Sequence, residues 1–540
     1  MDDAEPTFLN TRRMGEDPEL YVPGRGSFYP VHLGDILNGR YSVFRKLGAG
    51  AQSTVWLARD TKNPESRSYV AVKVFSADSS ESEMRLADLL KRTDHPGRRH
   101  VELALDSFVV YGSNGRHFCK VLEPLGCSLA AVLEAAFEKR AKLNDPEDWR
   151  GVAVEGDTWS AEAAKHACYQ LLQGLDYLHS QQIAHCDIQP GNVCLALDYD
   201  LAAMSENEIQ QAPWVEEEEE ESPPSPPPQP DDNDVGVSDT SSSSSSSSSQ
   251  SESEWEKELK HQQALSEQQW AALPPGDPSA PPHSPLWNAA NLINSRFTIE
   301  LLQRRDGRPP AKDEIQYTVL PTPLPCKPTL LTSPSSQSHT TPPLRRLVLI
   351  DLGFSTPFPL CPTTPLRNLS DFRPPEALLE NLPPSPSGKS DVFSLGLLFW
   401  EIVMLRRLVE TRYYSREEDP DRAVQRGRQL RDLAQRIGPV PGVVREKWKG
   451  WEEWLDEGGK ALGVEERDET VYEEGEFEWG DVWDQARQRR PRGMCDEEMR
   501  EFVEMVLGML AWVAEERPTT GELLESTWFA SCREGGEASV

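Results

Sequence analysis

Four polar residues in this 540-residue chain stand where their chemistry is costly to leave idle. Lys73 closes the run Val70-Ala71-Val72, and an ammonium alternating with apolar side chains on a buried strand needs a phosphate or a carboxylate as its partner. Asp187 and Asn192 lie five residues apart in Ile183-Ala184-His185-Cys186-Asp187-Ile188-Gln189-Pro190-Gly191-Asn192-Val193. That loop follows a helical stretch ending Tyr177-Leu178-His179 and precedes a short apolar run. Asp351 ends the run Leu347-Val348-Leu349-Ile350 and is followed by Leu352-Gly353. Asp187 can accept a proton from a hydroxyl, while Asn192 and Asp351 can hold a hard divalent cation that bridges phosphates. Lysine, base and cation ligands together are the equipment for moving a phosphoryl group.

Such residues need rigid supports. Leu47-Gly48-Ala49-Gly50-Ala51-Gln52-Ser53-Thr54-Val55 lies between two strand-like runs, so it predicts a hairpin and not a strand-to-helix turn. Its small residues let backbone N–H groups approach a triphosphate, and Val55 can cover an adenine ring. Strand-like runs continue at Val70 to Phe75 and Phe118 to Leu122, with one helical stretch from Glu81 to Leu90 between them. That helix offers Glu81 and Glu83 to pair with Lys73, and Glu83 is preferred. Taken singly, a Gly-rich hairpin is also a plain turn, Lys73 an edge lysine facing solvent, and Asp351 the start of an ordinary turn. Their order along one chain favours the chemical reading.

The rest of the chain bounds the setting. Nine cysteines form no CxxC pair and no metal-ligand spacing with histidine, so they read as reduced, intracellular thiols. No apolar run approaches the length needed to span a bilayer. A net charge of −33 argues against a nucleic-acid surface and suits a basic protein partner, or simply solvates exposed segments.

Organisation follows composition. Residues 1–40 form an N-terminal extension rich in turn formers. Residues 41–198 are strand-like and then helical. From 199 to 343 the chain runs through Glu216–Glu221, a proline-rich tract, nine serines from Ser241 to Ser249 and many Ser-Pro and Thr-Pro pairs. Such a stretch cannot bury enough apolar surface to offset its ordering entropy and is expected to be disordered. Order is expected again over 344–530, with a tail at 531–540. The fold class is α+β: a small β-rich lobe and a large helical lobe, split by the insert.

Further residues fall in a telling sequence. Arg373-Pro374-Pro375-Glu376 precedes Asp391-Val392-Phe393-Ser394-Leu395-Gly396, and Glu516-Arg517-Pro518-Thr519 lies in the last helical region. With these in hand, residues 41–198 and 344–530 resemble a eukaryotic protein kinase, and within it the SR-protein kinases in their fungal form. The narrower match rests on Phe28-Tyr29-Pro30-Val31-His32-Leu33-Gly34-Asp35 leading into Gly39-Arg40-Tyr41, and on Ser53-Thr54-Val55-Trp56-Leu57. It rests also on His95-Pro96-Gly97-Arg98, on Asn114-Gly115-Arg116-His117, on Glu123-Pro124-Leu125-Gly126, and on the position of the insert before Asp351.

The resemblance implies a bilobal fold that uses ATP and Mg2+. Leu47, Gly48, Ala49, Gly50, Ser53 and Val55 would cover the nucleotide and Ala71 would line it. Leu122 would be the gatekeeper, with Glu123 to Leu125 as the hinge that meets adenine. Lys73 and Glu83 would form the ion pair that holds the phosphates. Asp187 would be the catalytic base, with Asn192 and Asp351 as metal ligands. The implied activity is phosphorylation of serine or threonine in Arg/Ser-rich splicing-type proteins, by a monomer in cytoplasm and nucleus, with no direct nucleic acid or membrane partner. Such substrates would dock in an acidic groove, for which Glu452, Glu453, Asp456 and Glu457 are candidates beside Trp448, Trp451 and Trp454; the alternative is tryptophans packing an insert, with solvated acids around them.

Three departures stand out. Cys186 replaces an arginine, Gln189 replaces the lysine expected two residues after Asp187, and Leu369 stands where a threonine is usual, with Ser370 next to it as a substitute. Two alternatives therefore stay open. One is a nucleotide-binding scaffold with weak transfer. The other is a small-molecule phosphotransferase, since His185-x-Asp187 followed by Pro190-Gly191-Asn192 is also similar to aminoglycoside-type kinases.

Overall fold

A computed structural model describes residues 18–22, 27–50, 52–62, 68–77, 90, 93–141, 160–204, 209, 299–301, 315, 317–319, 321, 324, 345–358, 371–379, 388–409, 422–462, 481–491 and 493–535. The small lobe is one antiparallel sheet. Its strands are β1 (Ile36–Leu37), β2 (Tyr41–Ala49), β3 (Ser53–Asp60), β4 (Tyr69–Phe75), β5 (Asp106–Gly112) and β6 (Gly115–Leu122), in the order β1-β2-β3-β4-β6-β5. β4 is buried at every residue, which is why Tyr-Val-Ala-Val-Lys-Val-Phe reads as a nearly continuous apolar run. β5, which no sequence signal singled out, forms the edge and stacks Phe108 on Tyr41 with ring centroids 5.5 Å apart. The helix expected over Glu81 to Leu90 lies outside the described residues except for Leu90, which is buried.

The large lobe is built on two helices. After β7 (Leu125–Ser128) and α1 (Leu129–Ala141) comes α2 (Ala161–Ser180), capped by the Ser160 side chain, which accepts from the Ala163 amide. It ends where Gln182 turns to φ 59°, and β8 (Ile183–Ala184) follows. α3 (Gly388–Met404) is apolar on all sides and buried from Ser390 to Met404, so it can only be a central helix. α4 (Arg422–Ile437), α5 (Val482–Arg489) and α6 (Asp496–Met509) lie later in the chain, and α6 packs on α3. The turn Pro96–His100 sits so close to α2 that a Cβ on Gly97 would fall 1.7 Å from the Gln173 carbonyl oxygen, which excludes any other residue there. Among the described residues no helix is long and apolar enough to cross a membrane.

Most of 199–343 lies outside the described residues, but several short pieces of it pack on the small lobe. Leu201, Ile209 and Leu324 are buried with Leu57 and Tyr69. The buried Arg45 donates from Nη1 to the Ile209 carbonyl at 2.8 Å. Strands β10 (Ile299–Leu301) and β11 (Tyr317–Val319) pair with each other, and Val319 joins the core of the sheet. The stem of the insert is closed by a buried Arg345–Asp198 ion pair and by the Ala196 amide donating to the Arg346 carbonyl at 2.8 Å.

Candidate active site

Strand register assembles the nucleotide-facing surface. Val55 lies opposite Lys73, and Ala71 lies opposite Leu122. Cross-strand partners, and residues two apart along a strand, point to the same face. Val55, Ala71, Lys73 and Leu122 therefore share one side of the sheet. The Gly-rich stretch forms the expected hairpin between β2 and β3, closed by the Gly50 amide donating to the Ser53 carbonyl at 2.9 Å. A Cβ on Gly48 or Gly50 would meet nothing within 4 Å, so the loop leaves open space beside it. Leu47 packs at the edge of the cluster formed with the insert. Beyond Leu122, Glu123 to Leu125 cross from β6 to β7.

A second assembly rises from the large lobe. β9 (Val193–Ala196) and β12 (Leu347–Leu349) pair antiparallel with Val193 opposite Leu349, and the Ile350 amide donates to the Asn192 carbonyl at 2.9 Å. This brings the end of the 187–192 loop beside Asp351. Asp351 has φ 62°, a left-handed conformation that costs a residue with a Cβ about 1 kcal/mol or more. The Lys73 ammonium of the small lobe meets its Oδ1 at 2.8 Å. Burial alone would raise the Asp351 carboxyl, but Lys73 holds it below the usual carboxylate range.

Asp187 is 5% exposed and accepts one amide on each oxygen. Gln189 Nε2 donates to Oδ1 at 3.0 Å, and Asn192 Nδ2 donates to Oδ2 at 2.7 Å and to the Asp187 carbonyl at 2.9 Å. Burial is the main force on Asp187 and raises it above the usual carboxylate range, against His185 and the two amides. Each carboxylate oxygen has two lone pairs, so an amide hydrogen bond does not by itself bar a substrate hydroxyl from the same oxygen. Gln189 thus keeps the hydrogen bond to the base but brings no positive charge to position 189. Gln189→Lys is expected to raise kcat about tenfold by adding a cation near the developing charge, with KM for ATP changed less than about twofold. Steady-state transfer from labelled ATP measures both.

One residue that holds this loop was not singled out as a site residue. Asp391, in the first turn of α3, is almost fully buried. It accepts the His185 and Cys186 backbone amides at 2.8 Å each and His179 Nε2 at 3.0 Å. Cys186 is thereby held at φ 67°, and burial pushes its thiol well above the usual range. The available signal was an aspartate opening an otherwise apolar helix, where an unpaired charge would be costly.

Farther out, Glu376 and Arg517 form a two-pronged ion pair at 2.7 and 2.8 Å, joined by the Ser390 hydroxyl at 2.7 Å. Glu452, Glu453, Asp456 and Glu457 are exposed. Trp448 is buried, and Trp451 and Trp454 are half-buried against the large-lobe core. The tryptophans therefore pack the lobe and leave the acids at its surface. Glu81, Glu83, Leu369 and Ser370 lie outside the described residues.

The lining suits the ligands expected there. The carboxylate of Asp351 and the amide oxygen of Asn192 are hard donors fit for a divalent cation, and the buried Lys73 beside Asp351 fits phosphate.

Comparison with known proteins agrees with this geometry. Residues 41–210 match the protein kinase domain. The chain is 36% identical over 203 residues to "Serine/threonine-protein kinase spk-1" of Caenorhabditis elegans, covering 36% of this chain and 17% of that protein. It is 35% identical over 190 residues to "SRSF protein kinase 3" of Mus musculus, covering 34% and 30%. It is 36% identical over 184 residues to "Protein kinase dsk1" of Schizosaccharomyces pombe, covering 32% and 30%. The matched stretch therefore spans less than a third of each of these relatives' own length. Residues 41–210, which hold β2 to β6 of the small-lobe sheet, α2 and the 187–192 loop, are thus similar to a protein kinase domain, and the relatives that share this stretch are named as protein kinases.

Proposed function

We propose that the chain is a serine/threonine protein kinase that uses ATP with Mg2+. The observation that carries this is the 2.8 Å contact between Lys73 of the small lobe and Asp351 of the large lobe, beside the loop that holds Asp187 and Asn192. A bound divalent cation, held by Asn192 and Asp351, would neutralise the phosphates. Asp187 accepts the proton of the serine or threonine hydroxyl as its oxygen bonds the γ-phosphorus and the bond to ADP breaks. Gln189 and Asn192 hold the Asp187 carboxylate in place for that proton.

The substrates we propose are Arg/Ser-rich proteins. The chain's net charge of −33 and the exposed acids at 452, 453, 456 and 457 suit a basic partner, and a relative bears the name "SRSF protein kinase 3". Incubating the purified chain with γ-labelled ATP, Mg2+, an Arg/Ser peptide and an aminoglycoside tests the reading, with Asp187→Ala as control. Label on peptide serine that vanishes in the variant supports it. Label on the aminoglycoside alone, or nucleotide binding with no transfer, would overturn it in favour of a small-molecule enzyme or a scaffold.

A further inference from the structure

We infer that Arg346 is a positioning residue for the adenine-facing hinge, tying it to the strand that delivers Asp351. The inference rests on the kinase reading above and extends it to a residue outside the catalytic set. Arg346 stands at the return end of the insert, one residue before β12. Its Nη2 pairs with Glu123 Oε1, in the crossing between β6 and β7. Its Nη1 donates to the Arg99 carbonyl at 2.8 Å, in the turn that Gly97 seats on α2. Its own carbonyl accepts the Ala196 amide at 2.8 Å.

One guanidinium therefore grips the turn that packs on α2 with one nitrogen and the hinge with the other. A planar fork can make both contacts at once, whereas an ammonium is a single point charge. The same stretch continues through Leu347–Leu349, whose last carbonyl accepts the Glu102 amide at 2.8 Å, and reaches Asp351. The hinge and the cation ligand are thus set by one short, paired segment. Glu123 exposes its side chain to water, so the brace acts by holding the hinge backbone and its removal has a moderate effect.

The test separates the two ends of the nucleotide. Calorimetric titration of Mg-ATP, adenosine and tripolyphosphate is made on the full chain and on Arg346→Ala, Arg346→Lys and Glu123→Gln. We expect Arg346→Ala and Glu123→Gln to weaken ATP and adenosine about three- to fivefold and to leave tripolyphosphate unchanged. Arg346→Lys should recover only part of the loss, and the charge-reversed pair Glu123→Arg with Arg346→Glu should recover more than either reversal alone. Unchanged adenosine affinity in both Arg346→Ala and Glu123→Gln, or an equal loss for tripolyphosphate, overturns the brace while leaving the kinase reading intact. Failure of the unmodified chain to bind Mg-ATP overturns the kinase reading itself.

Discussion

Asp187→Asn is expected to lower kcat by about a hundred- to ten-thousandfold while changing ATP affinity less than about twofold. The substitution keeps the shape of the side chain but removes the oxygen that would take the hydroxyl proton. It also sets an NH2 group against an amide donor, since Gln189 and Asn192 each donate to one oxygen of Asp187. Neither the Lys73–Asp351 contact nor the β9–β12 pairing involves Asp187, so the nucleotide-binding surface stays in place. Transfer from labelled ATP measures the first quantity and calorimetry the second. A variant that keeps more than about a tenth of the rate would remove Asp187 from the role of base.

The second large effect is on stability. Arg517 is 1% exposed, and besides both Glu376 oxygens it donates to the Ala511 and Lys389 carbonyls at 2.9 and 3.0 Å. Its guanidinium lies 4.8 Å from the Phe393 ring centroid. Arg517→Met leaves the mostly buried Glu376 without its cationic partner, a loss of about 3 kcal/mol. Burial alone would raise the Glu376 carboxyl, but Arg517 holds it below its ordinary value. A depressed folded value contributes stability above the unfolded value of 4.5 and loses it as pH falls through the folded one. The full penalty therefore appears at neutral pH and shrinks in acid. Urea denaturation of Arg517→Met and of Arg517→Met with Glu376→Gln checks this: the second change should recover part of the loss by removing the stranded charge. Equal midpoints for the unmodified chain and Arg517→Met would contradict it.

What was legible in the sequence follows from how far apart the interacting residues lie. Lys73, Asp187, Asn192 and Asp351 could be read because each sits at a boundary that local pattern marks, the last two beside short apolar strands. The supports could not. Asp391 reaches the His185 amide across 206 positions, Arg346 reaches Glu123 across 223, and Arg345 reaches Asp198 across 147. No local periodicity reports such pairs. The insert shows a different blindness. Ile209 lies among polar residues and Leu324 among prolines, so composition reads their neighbourhoods as unable to fold. Each is nevertheless buried in one cluster with Leu57 of β3 and Tyr69 of β4. The Trp-rich stretch had two readings. Trp454 settles the packing: its ring lies so close to Gly427 that a Cβ there would come within 2.5 Å.

Magnesium-dependent binding of ATP tests most directly whether the two lobes meet around one metal-bound triphosphate. Titrated by calorimetry with and without Mg2+, the unmodified chain should bind ATP in the micromolar to millimolar range and more tightly with the metal. Lys73→Met should weaken both titrations, and Asp351→Asn should erase the difference between them. ATP affinity that ignores Mg2+, or that is untouched by either substitution, would mean that Lys73 and Asp351 pair only with each other.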